Sequence, residues 1–440
     1  MKTKTVQALL LFIIITLASC SQKPDPLLLQ IELNEIQIKD APALNSFAFA
    51  THQGQWLMIG GRTDGLHDHR PDRAYPADKS NTTIFVIDPD QAKTWSKTLE
   101  GLPVDLFEQL QSTNMAFYQD GDRLLLAGGY GWSEQTQDYR TFPFLTVINI
   151  PDLFQAVKND TDITGCFHQI QDQRMAVAGG YLGKIAVEYF LVFGNRFDGR
   201  YSARPGDGHT QEYTNEIRKF TLDTAAQQIS ISNYSAIRDT AHFHRRDFNM
   251  LPQIFPDGEF GYTVFSGVFQ YERNFPWLYP VNIFADGYEA IENFDQQFSH
   301  YHSACVSIYH GEDKQMDNMF FGGMARFVPN PESGEITNDP LVPSVKTISQ
   351  VSRLANGEMK ELVLETAMPG LLGASANFIP AKGLPLLHHK IVDIDKLPTG
   401  KTHIGYIYGG LESSHPNIFL QPQGTSNSTN RIFEVYLVKP

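Results

Sequence analysis

The sequence predicts an all-β fold, a six-bladed propeller, and three observations support this fold class. A small unit recurs six times: two apolar segments joined by a Gly-containing turn, the second ending in Gly-Gly or an equivalent pair. A third strand-like segment, and usually a fourth, follows each unit. Residues 27–40, ahead of the first unit, alternate apolar and polar side chains over their second half. Four short antiparallel strands per repeat are typical of propeller blades.

Residues 1–20 are expected to be a signal peptide that is not part of the fold. Lys2 and Lys4 supply a positive start, and the almost wholly apolar run 6–17 follows them. This run matches a secretory apolar region and is too short to span a bilayer as a permanent helix. The chain is therefore expected to be exported.

The end of this segment, "LASC" at residues 17–20, resembles the bacterial lipoprotein signal. In that signal the cysteine, here Cys20, is lipidated and becomes the mature N-terminus. The resemblance implies a lipid anchor in the cell envelope, with the outer membrane favoured over the inner one. An ordinary signal peptide with a chance cysteine is the alternative. Residues 21–26 then form a polar tether.

The amino-acid composition indicates how the fold is stabilised and which binding partners are disfavoured. The hydrophobic content of 42%, with 12% aromatic residues, suffices for a core and argues against disorder. The net charge of −14 disfavours nucleic acids and anionic membrane surfaces as partners. Only Cys166 and Cys305 remain besides Cys20, so one disulfide could form but packing must stabilise the fold.

The first two strands of each blade are predicted from apolar runs on either side of a turn. Asp-Gly or a similar pair between two such runs is a strong hairpin signal. In the third unit, Gly179-Gly180 is placed within or just after the first strand. The predicted hairpins are residues 46–61, 113–129, 174–195, 248–267, 302–323 and 374–410, the last with a long insert.

The third strands are predicted at 81–90, 144–150, 215–223, 279–287, 347–357 and 430–440, and the fourth at 94–99, 166–172, 228–234, 288–294 and 359–366. The sixth unit lacks a fourth strand, and residues 27–40 can supply it. Pairing the two termini would remove the exposed sheet edges that invite aggregation. The predicted single domain, 27–440, therefore has blades at about 46–100, 112–172, 173–235, 246–296, 301–367, and 373–440 with 27–40.

This pattern resembles the kelch repeat, in which a hairpin ends in Gly-Gly, Asp often follows the third strand, and the fourth strand contains Trp. The first unit matches best, with Gly60-Gly61, Asp88 and Trp95, and the later units are degenerate. The resemblance covers residues 27–440. Kelch propellers include carbohydrate-active enzymes and pure interaction modules, so the resemblance does not decide the function.

Titratable side chains are concentrated in "HFHRRDFNML", residues 242–251, directly before an apolar run. The start of a hairpin's first strand and the end of its second lie at the same end, so these residues should ring one channel mouth. The predicted first positions are 44–45, 112–113, 173–174, 247–248, 301–302 and 373–374. The ligand-binding candidates are Asn45, Thr113, Arg174, His244, Arg245, Arg246, Asp247, Tyr301 and His302, with Arg62 and Arg196 from the second-strand loops.

Two interpretations of this set stay open. Arginine suits carboxylate or phosphate groups and aromatic faces suit sugar rings, which favours a small acidic or glycan-derived ligand. Alternatively, Arg245 or Arg246 forms structural ion pairs with Asp247 and with aspartates of neighbouring blades.

Other groups of residues are weak evidence for a metal or catalytic site. Tyr301-His302 resembles one element of the copper site in galactose-oxidase-like kelch enzymes, but the other parts of that site are missing. The pairs His67/His69 and His388/His389 are interpreted as solvated loops. No metal or cofactor is expected, and no nucleotide-binding or nucleophile motif is found.

Three functions are therefore consistent with the sequence. The first is a binding module for a small ligand or a protein partner at the channel mouth. The second is an enzyme, for instance a sugar epimerase resembling the kelch-type sialic acid mutarotases. That resemblance implies that Arg174, Arg246, Asp247 and His302 hold a carboxylate and move protons, although no catalytic residue is assigned. The third is a protein-interaction scaffold without a small-molecule site.

Overall fold

The computed structural model describes residues 26–68, 73–202, 208–223, 229–330, 332–388 and 390–439. The predicted signal peptide, Cys20, the tether up to residue 25, His69 and His389 lie outside the described residues. Six sheets form a six-bladed propeller, which confirms the predicted fold class. No helix in the described part of the chain is long and apolar enough to cross a membrane.

The N-terminal strand β1 (Gln30–Ile36) comes first in the chain and belongs to the sixth blade. Blade one contains β2 (Ala48–His52), β3 (Gln55–Ile59), β4 (Thr83–Asp88) and β5 (Lys93–Thr98). Blade two contains β6 (Ala116–Asp120), β7 (Arg123–Ala127), the hairpin β8 (Tyr130–Ser133) and β9 (Asp138–Thr141), then β10 (Phe144–Asn149) and β11 (Phe167–Gln171). Blade three contains β12 (Tyr181–Ile185), β13 (Glu188–Val192), the hairpin β14 (Asn195–Asp198) and β15 (Thr210–Tyr213), then β16 (Glu216–Asp223) and β17 (Ser230–Arg238).

Blade four contains β18 (Asn249–Ile254), β19 (Phe260–Phe265), β20 (Val281–Ile283) and β21 (Tyr288–Ala290). Blade five contains β22 (Ala304–His310), β23 (Gln315–Phe321), the hairpin β24 (Phe327–Pro329) and β25 (Ile336–Asn338), then β26 (Thr347–Arg353) and β27 (Met359–Ala367). The last segment contains β28 (Asn377–Pro380), β29 (Leu386–Leu387), β30 (Ile391–Asp393), β31 (Gly400–Tyr408), the hairpin β32 (Leu411–Ser413) and β33 (Ser426–Ser428), and β34 (Ile432–Lys439).

The sixth sheet has the order β1-β34-β31-β28, so the N-terminal strand is its outermost member. β1 pairs antiparallel with β34 from Gln30↔Val438 to Ile36↔Ile432. The hydrophobic core consists of separate clusters arranged around the propeller axis. One buried apolar cluster lies between each pair of neighbouring blades. The cluster between blades six and one packs Trp56 and Met58 against Tyr406 and Tyr408.

A ring of six backbone hydrogen bonds joins the inner strands where they begin. Each ring residue donates its N–H to the carbonyl of the ring residue in the preceding blade, and the sixth closes on the first. Five of the six have positive φ, between 52° and 66°, which suits Ser, Asn, Asp and Gly better than bulky residues. The bonds are Ser46 to Ser375 (3.2 Å), Asn114 to Ser46 (3.3 Å), Gly179 to Asn114 (3.1 Å), Asp247 to Gly179 (2.8 Å), His302 to Asp247 (2.7 Å) and Ser375 to His302 (2.8 Å).

The third blade differs from its prediction. Its inner strand begins at Tyr181, and residues 173–175 form a short 3-10 helix instead of strand. The carboxylate of Asp172 accepts from the Arg174 N–H (2.9 Å), which favours that turn. Gly179 belongs to the ring, so the strand starts after it and the predicted register was five residues early.

Two α-helices were not predicted: α1 (Val104–Leu110) and α2 (Ile150–Lys158). α2 begins after Asn149, whose side chain accepts from the Asp152 N–H. Its apolar face, including Leu153 and Phe154, packs into the cluster between blades one and two. An Asn cap followed by Pro151 was a sequence signal for this helix.

The insert in the sixth unit lies across the mouth opposite the ring. Its β30 pairs in parallel with the inner strand β22 of blade five. The Lys390 ammonium lies 3.9 Å from the Tyr118 ring centroid of blade two. The His388 ring stacks on Phe260 of blade four at 4.3 Å. The insert therefore bridges three blades at that end of the channel.

A Gly-Gly pair ends the second strand of blade two because the backbone of blade three comes very close. Gly128 has φ +67°, and a Cβ there would lie 1.9 Å from the Val177 carbonyl oxygen. Gly128→Ala is expected to lower the free energy of unfolding by about 2–3 kcal/mol, measured by urea denaturation. Gly121→Ala is the matched control, because Gly121 also has positive φ but nothing lies within 4 Å of its Cβ position. A loss of about 1 kcal/mol is expected for the control, and equal losses would contradict the close-approach explanation.

Candidate functional site

The mouth at which the inner strands begin contains a cavity of about 570 Å³. Its size lies in the range usual for small-molecule sites, about 300–1,000 Å³. Seven of the predicted candidates line it: Asn45, Arg62, Thr113, Arg246, Asp247, Tyr301 and His302.

The hydrogen-bonded ring forms the floor of this cavity. Ser46, Asn114, Asp247, His302 and Ser375 of the ring all line it. Aromatic side chains narrow the channel beneath the ring, where Phe49 meets Phe117 edge-on at 5.4 Å and Tyr181 meets His302 at 5.7 Å. A small cavity of about 40 Å³ remains beside Phe117 and Tyr181. The insert crosses the far mouth, and the cavity is a cup that opens at the mouth where the inner strands begin.

Arg246 and Asp247 form an ion pair on the cavity wall. Arg246 Nη1 donates to Asp247 Oδ2, and Arg246 Nε donates to the Tyr213 hydroxyl (3.3 Å). The guanidinium also lies over the Phe269 ring at 5.4 Å. Both side chains of the pair are only 16% exposed. The positive charge is thus largely compensated within the protein.

Arg62 is neutralised in the same way. Its guanidinium makes a bidentate pair with the Asp64 carboxylate, with both distances 2.7 Å, and donates to the Pro76 carbonyl (2.9 Å). Asn45 donates to Asp64 O and to Ser428 Oγ, both at 2.8 Å. These residues join the loops of blades one and six and hold the cavity wall in place.

An aromatic cluster forms the side of the cavity that blades one and three supply. Tyr75 and Tyr201 meet at 5.5 Å, and the His67 ring contacts both, stacking on Tyr75 at 4.8 Å. The β8–β9 hairpin of blade two positions them: Tyr139 donates to the Tyr75 carbonyl (2.6 Å), and the Tyr201 N–H donates to the Tyr130 hydroxyl (3.0 Å).

Three phenols, those of Tyr75, Tyr201 and Tyr301, line the cavity. Their hydroxyl groups make no hydrogen bond to any other residue that the structure describes. Burial raises the pKa of each phenol above its usual range. The hydroxyls therefore stay protonated at neutral pH and can donate to and accept from a ligand.

His302 is an uncharged imidazole at neutral pH. Burial lowers its pKa to about 4. In the hydrogen-bonded backbone ring, the His302 N–H donates to the Asp247 carbonyl, so the two residues are neighbours. The cavity floor therefore combines a neutral imidazole with a carboxylate.

One wall of the cavity is apolar. Leu341 and Val342 of blade five and Ile418, Phe419 and Leu420 of blade six line it. This wall was not predicted, because the residues lie in loops without periodicity.

Arg174 and Arg196 lie outside the cavity. The Arg174 guanidinium pairs with Asp172 and stacks over the Tyr234 ring of the outer strand at 4.2 Å. Its predicted place at the mouth was wrong because it came from the register error in blade three. Arg196 pairs with Asp198 at 2.6 Å and is 42% exposed.

Arg245 and His244 support the site from behind and do not line the cavity. Arg245 is 0% exposed and donates to the carbonyls of His242 (2.8 Å), Ser266 (3.0 Å) and Tyr279 (2.7 Å). Its guanidinium therefore does not face the cavity. His244 is sandwiched between Tyr213 at 3.6 Å and Tyr271 at 3.9 Å, and its Nδ1 bonds to the Phe269 carbonyl (2.7 Å).

Several lining residues were not predicted from the sequence, among them Ser46, Asn114, Tyr75 and Tyr201. A signal existed for the first two, since small polar residues that tolerate positive φ precede an apolar inner strand. Tyr75 and Tyr201 lie in long loops, where no local pattern predicts orientation. Among the described residues, no group of three or more His, Cys, Asp or Glu side chains could hold a metal ion.

No family model matches the chain, and no curated protein matches it. Solved structures do match, including one titled "Structure of YjhT", which is 10% identical. That match covers 92% of this chain and 99% of the other, with a TM-score of 0.47. The six sheets themselves define this chain as a β-propeller, and the kelch resemblance stays a prediction from the sequence.

Proposed function

We propose that this propeller is a cell-envelope binding protein whose cavity holds a small, uncharged, polyhydroxylated ligand such as a sugar. The observation that carries the proposal is the set of three phenols, Tyr75, Tyr201 and Tyr301, that line one cup-shaped cavity. A phenol offers an apolar ring face to C–H groups and a hydroxyl to a polar substituent. Sugars present both kinds of group on one small ring.

An uncharged ligand fits better than the acidic one that the arginines first indicated. Each cavity arginine already has a carboxylate partner: Arg246 has Asp247, and Arg62 has Asp64. A ligand carboxylate at Arg246 would face the negative charge of Asp247, which disfavours it. The exported, lipid-anchored location is supported by the N-terminal sequence alone.

The cup also favours a small ligand over a protein partner. A scaffold for protein contacts needs a broad surface and no enclosed cavity. Polar groups that converge in a concave, largely preformed site are typical of small-molecule recognition. The cavity floor is preformed here, since six backbone hydrogen bonds hold it.

An enzyme of the sugar-epimerase or mutarotase class is the second candidate. The titratable side chains on the cavity floor favour this candidate. Exchange of a sugar's anomers requires a proton acceptor and a donor near the ring. His302, neutral at pH 7, and Asp247 occupy adjacent ring positions and could serve as these groups. If the protein is a catalyst, anomer exchange measured by NMR will accelerate with wild-type protein and not with His302→Gln.

Tyr301→Phe tests the binding proposal. Removing one hydroxyl that bonds the ligand should weaken binding about 2- to 13-fold, because a neutral hydrogen bond contributes about 0.5–1.5 kcal/mol. A thermal-shift screen of neutral and acidic monosaccharides and their methyl glycosides would find the ligand, and calorimetry would give the Kd of each protein.

Tyr309→Phe is the matched control, because Tyr309 lies near the far end of the inner strand β22, which begins three residues after Tyr301. The control should bind as the wild type does. Failure of every neutral sugar to bind, or equal affinity of wild type and Tyr301→Phe, would refute the proposal. If the protein binds acidic sugars more tightly than neutral ones, the ligand is acidic, as the arginines in the sequence first indicated.

A further inference from the structure

Exposed apolar side chains are concentrated on one side of the cavity. Ten large hydrophobic side chains in the described part of the chain are exposed, and three of them line this single cavity. They are Leu341 (51% exposed), Phe419 (44%) and Leu420 (63%). Exposed apolar groups gathered at a concave surface mark binding sites.

These side chains belong to one continuous wall. The Ser344 N–H donates to the Pro416 carbonyl (2.7 Å), which joins the loops of blades five and six. The Leu66 N–H donates to Ser426 Oγ (3.0 Å), which joins blade six to blade one. Val342, 5% exposed, also lines the cavity beside Leu341. The wall is therefore held by a hydrogen bond on each flank, one between two backbone groups and one from a backbone N–H to a serine hydroxyl.

The polar and apolar sides face the same space. Tyr201, Arg246 and Tyr301 line the cavity from blades three to five, and Leu341 and Phe419 line it from the loops of blades five and six. A plain sugar would leave the apolar wall in contact with water. A ligand with a polar ring and an apolar chain would cover both sides.

We infer that the ligand is amphipathic: a sugar-like ring held at the phenols, carrying an alkyl or acyl chain that lies on Leu341, Ile418 and Phe419. This inference rests on the proposed sugar binding and adds the chemical class of the substituent. Each methylene group buried on the wall contributes about 0.8 kcal/mol, roughly a fourfold gain in affinity.

Affinity as a function of chain length tests the inference. Calorimetry would compare the methyl, butyl and hexyl glycosides of several neutral hexoses, at concentrations below micelle formation. For a hexose whose methyl glycoside binds, the butyl or hexyl glycoside should bind at least tenfold more tightly. Leu341→Ser and Phe419→Ser should each reduce this gain, measured as the ratio of the hexyl to the methyl glycoside affinity within the same variant.

Val187→Ser is the matched control, because Val187 is 73% exposed and lies in the turn of blade three, away from the cavity. It should leave both affinities unchanged. Methyl glycosides that bind without any gain from longer chains, or a gain that survives both wall substitutions, would overturn the amphipathic ligand and leave sugar binding intact. If no glycoside of any length binds, both proposals fail together.

Discussion

Replacing Arg245 with Ala is expected to lower the free energy of unfolding by about 3–5 kcal/mol. The side chain is completely buried between the rings of Trp277 (4.8 Å) and Tyr279 (4.7 Å). It satisfies three backbone carbonyls that would otherwise lack these donors. The substitution leaves buried acceptors without partners and opens a cavity, and both effects destabilise.

Urea denaturation followed by tryptophan fluorescence would measure the loss. Arg196→Ala is the control, because its ion pair with Asp198 is partly exposed and such pairs contribute about 0–1 kcal/mol. Wild-type stability in Arg245→Ala would show that the three carbonyls do not depend on the guanidinium. The adjacent Arg246→Ala should instead act mainly on ligand affinity, since Arg246 lines the cavity.

Acidification from pH 6.5 to pH 4 is expected to destabilise the protein by on the order of 3 kcal/mol through His300 alone. Burial lowers the pKa of His300 to about 4. Its Nε2 bonds to the Gln296 carbonyl (3.0 Å), and its Nδ1 accepts from the Arg326 N–H (2.9 Å). Protonation of Nδ1 would remove that acceptor.

The direction follows from where the proton binds. The unfolded chain protonates this histidine near pH 6.5, whereas the folded chain does so only near pH 4. Between these values the unfolded state holds more protons, so stability falls as the pH falls. Above pH 6.5 both states are neutral and His300 adds no pH dependence.

His300→Gln would isolate this contribution. The difference in unfolding free energy between pH 7.5 and pH 5 should be about 2 kcal/mol smaller in the variant than in the wild type. His168→Gln is the control, because that side chain is exposed, and it should keep the wild-type pH dependence. The same pH dependence in all three proteins would contradict the assignment to His300.

Local patterns were enough to predict most of the fold. Hairpin signals such as Asp120-Gly121 bring together strands that are neighbours in sequence, so β6 and β7 were predicted within a few residues. The prediction of the inner strand in the third blade was wrong because its Gly-Gly pair can be interpreted in two ways. Gly179-Gly180 looks like the end of a strand, yet Gly179 is a ring residue that precedes one.

The candidate site was predictable in position but not in composition. Its location follows from hairpin geometry, which places residues 246–247 and 301–302 at one mouth. The neighbours Arg245 and Arg246 have the same residue type, but one is buried behind the wall and the other lines the cavity. No sequence pattern distinguishes them, since the difference depends on the rings of Trp277 and Tyr279.

The sequence by itself determined the six repeats, the strands and the face at which polar groups gather, because alternation and turn chemistry act over a few residues. Only the tertiary structure decided which side chains meet. The ring joins residues from 46 to 375, and the cavity wall combines loops of blades one, three, four, five and six. Such contacts depend on how the whole circle of sheets packs, so they place phenols, a neutral imidazole and an apolar wall around one space that no short segment encodes.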